Sequence, residues 1–187
     1  MRAERRLIPS SSQTVGPYFR IGLEYLVDPA SPGESVAAGM ITVRGRVLDR
    51  DRAPVGDAML EFWTAGVPHA HGDADAREPA LPKGFRRAAT DLDGCFFVSM
   101  PRPVPVPYED SKFQAPHMIV LVFARGLLRQ LVTRVYFDGE PANDSDPVLV
   151  GVPADRRHTL IARGDGENNY RWEVILQGAD ETVFFAW

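Results

Sequence analysis

The chain has 187 residues, enough to bury a core unaided, and a net charge of −4 with both signs interspersed, a pattern that argues against a nucleic-acid footprint. Its one cysteine, Cys95, excludes a disulfide framework and, inside the apolar run CFFV, reads as a buried, inert thiol. The opening MRAERRLIPS is too short and polar for a signal peptide, and no apolar run reaches membrane-spanning length, so a cytoplasmic protein is expected.

In chain order, a polar arm comes first, residues 1–40. It contains SQTVGPYF (12–19), where Pro17 fixes its own φ and pushes Gly16 toward extended geometry, so that Thr14 to Tyr18 should be stiff. Turn chemistry alone reads this as the start of the fold, with Tyr18 and Phe19 tucked into the core. From residue 41 to 187 one domain is expected, with apolar and β-branched runs of strand length: ITVRGRVLD (41–49), AMLEFW (58–63), CFFVSM (95–100), HMIVLVFA (117–124), LVTRVYF (131–137), HTLIA (158–162), YRWEVILQ (170–177) and ETVFFAW (181–187). Helical periodicity is scarcely visible. The turn signals DRDRAPVGD, DLDGC, RGDGENN and QGADE separate several of these runs. Such a pattern predicts an all-β protein, an antiparallel β-sandwich with long loops and an extended N-terminal arm.

Besides the arm, three connections are too long for hairpins: 64–90, the proline run PRPVPVPY (101–108) and 138–157. Long connections in a compact domain are usually functional or meet a partner. The proline run should form a pre-ordered edge rather than a central strand. His69 and His71 form an H-x-H, but Gly, Pro and Asp surround it and a solvated loop is the simpler reading. His117 opens a strand after Pro116, where a satisfied structural imidazole is common. A metalloenzyme built on His69, His71 and His117, or a non-catalytic β-sandwich binding module, stay open on this evidence.

Taken together and in order, SQTVGPYF, GRVLDRDRAPVGDAMLEFWTA, TDLDGCFF, APHMIVLVFARG, LVTRVYFDGE and ETVFFAW resemble the intradiol ring-cleaving dioxygenases. The resemblance implies a β-sandwich enzyme that opens a catechol ring with O2 at a non-haem ferric iron, Fe(3+), held by two tyrosines and two histidines. This sequence departs from that ligand pattern. After Trp63, Thr64 and Ala65 no tyrosine follows before Tyr108, whose spacing to His117 does not match, and the second histidine position is Ile119. What the resemblance therefore implies is a chain with no metal ligands and no catalytic residues of its own, paired in a large hetero-oligomer with a homologous β chain that binds the iron. It further implies that Thr14, Gly16, Pro17 and Tyr18 line the pocket for a carboxylated catechol. Arg125, in FARG, is implied at the same cleft, its guanidinium suited to a carboxylate or to the carbonyls of the arm.

Overall fold

The computed structural model describes residues 10–23, 39–66, 84–109 and 112–186, and of Pro17, Tyr18 and Arg20 the backbone alone. Ten strands account for most of the regular structure: β1 (Met40–Leu48), β2 (Met59–Thr64), β3 (Phe85–Ala89), β4 (Cys95–Pro101), β5 (Val106–Pro107), β6 (Phe113–Gln114), β7 (His117–Phe123), β8 (Leu131–Phe137), β9 (Ile161–Gly164) and β10 (Asn169–Ile175). Two short helices, α1 (Pro17–Gly22) and α2 (Pro147–Gly151), accompany them.

Eight strands form one sheet in the order β3-β2-β7-β8-β9-β10-β1-β4. Its edge strands β3 and β4 come into contact, so the sheet curls until it is nearly closed. β9 is the seam, pairing with β8 on one side and β10 on the other. Alternation drives this closure: β4 buries every second residue and β7 nearly so, and the inward set packs as one core of Ile41, Val43, Leu60, Phe62, Val98, Met118, Val120, Val135, Trp172 and Val174. Phe62 and Phe96 meet across it at 5.8 Å. Truncating a ring buried as fully as Phe62 would cost about 3 to 5 kcal/mol.

The all-β reading holds, and most ladders are antiparallel, but β1 pairs with β10 and β8 with β9 in parallel. Parallel neighbours need a crossover, and residues 138–160 supply the one between β8 and β9, carrying α2 and two 3₁₀ turns. The β1/β10 ladder is close enough that Gly45 is obligatory, since a Cβ there would lie 1.7 Å from the Trp172 carbonyl oxygen. The turn DLDG is fixed by Asp91, which accepts from Asp93 N and Cys95 N at 2.9 and 2.8 Å, and by Gly94 at φ +71°.

Four elements differ from the sequence expectation. HTLIA is a 3₁₀ turn at Arg157–Leu160 before β9 begins. ETVFFAW is not a strand: Thr182 exchanges hydrogen bonds with Ile175, through its backbone N–H (2.9 Å) and its hydroxyl (2.9 Å), and Phe185 makes a single bridge to Val132. Threonine side chains thus replace a ladder. β3, FRRAA, was hidden because Arg86 and Arg87 interrupt its apolar alternation; Ala88 faces the core opposite Leu60, whereas Phe85 is buried on the other face against Trp63, ring centroids 4.4 Å apart. Cys95 is only half buried, because it lies opposite Arg46 on the outward face of β4. As expected, the proline run forms no central strand: Pro101 ends the edge strand β4, and β5 pairs with β6 in a separate ribbon. Among the described residues no helix is long and apolar enough to cross a membrane.

Candidate functional site

The sequence points to two places, the arm against the turn after β7 and the surroundings of His117. At the first, the fold joins residues 112 positions apart: the Gly126 backbone N–H donates to Thr14 Oγ1 at 2.8 Å. Gly126, at φ +85°, supplies the left-handed residue of the turn, which closes through Leu127 N to the Ala124 carbonyl at 3.3 Å. Beyond Thr14 the chain enters α1, which Pro17 opens without wasting an amide donor, and Phe19 stacks on Phe123 with ring centroids 5.1 Å apart. The arm is thereby pinned over the end of β7. Phe19 is only half buried, lying on Phe123 rather than in the core as the simplest turn reading expects, while the side chains of Pro17 and Tyr18 lie outside the described residues.

Arg125 stands beside this junction. Its Nε donates to Asp57 Oδ2, and 69% of its side chain remains exposed. A tethered but exposed guanidinium keeps its orientation while remaining able to meet a group from outside. Gly16 is exposed, and among the described residues, its chain neighbours aside, no atom lies within 4 Å of where a Cβ would be. A shallow cavity of about 110 Å³ separates Gln13 and Val15 from Phe123, Leu127 and Arg129. That is well below the several hundred Å³ of ordinary small-molecule sites, so these residues amount to one wall rather than a pocket. Thr14, Gly16 and Arg125 are thus brought to one edge of the sheet. Asp57, which holds Arg125, was not singled out in the sequence; its position in the loop VGD carried no distinguishing signal.

The second place is buried. His117 is 2% exposed, its Nδ1–H donates to the Ala115 carbonyl at 2.7 Å, and its ring packs 5.4 Å from that of Tyr136, its partner across the β7/β8 ladder. Burial lowers its pKa, opposed by the Ala115 hydrogen bond and reinforced by the Arg134 charge, so the imidazole is neutral at neutral pH. Tyr136 has its phenol pushed well above the usual tyrosine range, chiefly by burial. Its hydroxyl donates to Asp146 Oδ1 at 3.1 Å. Asp146, fully buried, also accepts from Ala115 N (2.7 Å), Val148 N (2.9 Å) and Leu149 N (2.7 Å), and so caps α2 while anchoring the approach to β7. Arg134, 6% exposed and opposite Ile119 in the ladder, gives Nη1 to Gln114 Oε1 at 2.6 Å, while its Nε has no hydrogen-bond partner. No sequence pattern singled out this cluster, although Asp146-Pro147 is a helix-start signal that could have marked the cap.

Comparison with known proteins places the architecture. A family model described as "Dioxygenase" matches residues 16–178. The chain belongs to the intradiol dioxygenase family. It is 39% identical over 93% of its length to the protocatechuate 3,4-dioxygenase alpha chain of Burkholderia cepacia, covering 95% of that protein. To the beta chain named for the same enzyme in the same organism it is 28% identical, over 76% of this chain and 66% of that one. Among solved structures, the catechol 1,2-dioxygenase of Pseudomonas arvilla C-1 superposes with a TM-score of 0.55 at 18% identity, over 82% of this chain; the chain spans about half, 55%, of that structure.

Intradiol dioxygenases use non-haem iron. The residues around His117 do not fit that ion. One imidazole is available, Ile119 takes the next position on the same face of β7, the one phenol in contact among the described residues is kept protonated and already donates to Asp146, and the buried Arg134 guanidinium would repel a second cation. Among the described residues no three His, Cys, Asp or Glu side chains converge. His69 and His71 lie outside the described residues, and Tyr108 is exposed on the proline ribbon.

Proposed function

We propose that this chain is the α subunit of a protocatechuate 3,4-dioxygenase, in which protocatechuate and O2 are converted to 3-carboxy-cis,cis-muconate by intradiol ring cleavage at a ferric iron held by a homologous β chain. The observation that carries this reading is the near full-length match to a named alpha chain, 95% of that relative being covered. The misfit of the His117 surroundings to iron supports it, since a chain that cannot assemble the ligand set must draw its metal chemistry from elsewhere.

In this reading the arm, residues 1–40, reaches the partner, and Thr14, Gly16, Pro17, Tyr18 and Arg125 form the wall of the pocket that the partner completes. Gly16, open on its own chain, accepts close approach of partner or substrate. Thr14 stiffens the wall through Gly126, which spares binding free energy that a loose arm would spend on ordering. Arg125, oriented by Asp57, meets the substrate carboxylate or fixes the 14–18 segment beside it. The chain's contribution is positioning and specificity. The assembly is a large hetero-oligomer of αβ units in the cytoplasm, where the lone thiol of Cys95 stays reduced.

The test is to express the tagged chain in its own host and purify it under native conditions. A co-purifying homologous chain, with iron and protocatechuate-dependent O2 uptake in the complex, is expected. Recovery of a stable monomer with stoichiometric iron of its own would overturn the assignment.

A further inference from the structure

On the outward face of the opposite half of the sheet, the ladder register sets three arginines side by side: Arg163 on β9 opposite Arg171 on β10, and Arg171 opposite Arg44 on β1. Neighbouring strands lie about 4.8 Å apart, and like charges directly opposite one another destabilise a sheet. One carboxylate serves this row. Asp165 Oδ2 accepts from Arg44 and from Arg171 Nε at 2.7 Å, while the Arg163 side chain makes no hydrogen bond or ion pair among the described residues.

Beside this row opens a cleft of about 520 Å³, within the size range of small-molecule sites. Arg163, Arg171 and His158 lie on its wall, and Ile161 and Ile175 add apolar surface between them. The His158 side chain, like that of Arg163, is exposed and has no partner among the described residues. The cleft also holds Arg52, whose charge is taken by Glu173 at 2.7 Å, and Asp180, an exposed carboxylate. A bare inorganic anion would satisfy Arg163 but leave the apolar surface and Asp180 unused.

We infer that this cleft binds a small organic carboxylate with a hydroxyl group: its carboxylate pairs with Arg163 and Arg171, its carbon skeleton lies on Ile161 and Ile175, and its hydroxyl donates to Asp180. The site is built from β9, β10 and the loops beside them, separate from the described arm residues 10–23 and from the His117 cluster. It makes no claim on the ring-cleavage reading.

Malate is a suitable probe, titrated by calorimetry into the protein in the assembly in which it purifies. Saturable binding is expected, with succinate weaker for want of the hydroxyl. Arg163→Ala should weaken malate about tenfold or more, the fold-change of losing a charge-assisted hydrogen bond, and Arg163→Glu should abolish binding. Arg46→Ala, an arginine of the same face outside the cleft lining, should leave it unchanged. Both Arg163 variants alter an exposed side chain and should fold, with circular dichroism as the check. The inference is overturned by a response to malate no greater than that to sodium chloride at matched ionic strength, by equal affinity for inorganic phosphate, or by unchanged binding in Arg163→Ala.

Discussion

The arm junction and the His117 cluster lie at opposite ends of the same strand, β7, yet they are built on contrary principles. At the His117 end every strong charge is buried and committed: Asp146 accepts four hydrogen bonds, and Arg134 is held by Gln114. At the other end Arg125 is exposed and held by one carboxylate, and Thr14 contributes one hydrogen bond to a turn. A buried network with few spare donors has little left to offer a ligand and defines structure; an exposed, oriented cation keeps its binding capacity in reserve. One strand thus carries a committed, buried network at one end and an exposed, tethered cation at the other.

The sharpest way to break this contrast is Asp146→Ala. It leaves three backbone amides and the Tyr136 hydroxyl without their buried acceptor, and a loss of about 3 to 5 kcal/mol is expected in urea unfolding. A loss below about 1 kcal/mol would show that the cluster is not what anchors this end of the sheet.

At the rim the signs reverse, with small effects on stability and larger ones on binding. Arg125→Ala should cost less than about 1 kcal/mol of stability, because its ion pair is largely solvent-screened. In the assembled enzyme it should weaken protocatechuate by about 1 to 3 kcal/mol with iron content unchanged. Catechol, which lacks the carboxylate, separates the two roles: direct pairing predicts a selective loss for protocatechuate, a purely structural role equal losses for both.

Thr14→Val removes the acceptor for Gly126 N and should raise KM several-fold. Its stability cost should stay within about 1 kcal/mol, since water can replace the exposed hydroxyl. Unchanged kinetics in both Thr14→Val and Arg125→Ala would reduce the arm to an ordinary turn.

The smallest effect concerns pH. The folded His117 pKa lies below the unfolded value of 6.5, so the unfolded chain binds more protons in the window just below pH 6.5. The contribution of this residue is fully present above that window and is lost as pH falls through it. His117→Asn, which keeps a donor for the Ala115 carbonyl, should flatten this part of the stability profile in thermal unfolding between about pH 6.5 and 5. An unchanged slope would mean that the imidazole is not kept neutral by burial.

Much of the fold was legible in period-two alternation, because a strand with one buried face must alternate wherever it lies. β2, β4, β7 and β8 fall within a residue or two of the runs that announced them. Alternation is silent on direction, since parallel and antiparallel ladders bury the same faces, and the pairing of β1 with β10 joins nearly opposite ends of the chain. It also fails where arginines extend out from a strand, as in β3, and where threonine side chains stand in for a ladder, as at Thr182.

The candidate site divides in the same way. Residue identity by itself determined that Ile119 rather than a histidine stands two residues after His117, that Pro17 stiffens the arm and that Arg125 follows the run HMIVLVFA, because these are local facts of composition and spacing. Only the tertiary structure decided that Gly126 meets Thr14, that Asp57 orients Arg125, that Arg134 faces Ile119 and that Arg44, Arg171 and Arg163 form one row. Each of those is a contact between segments far apart in sequence, and its energy comes from burial and charge pairing that exist only once the sheet has closed.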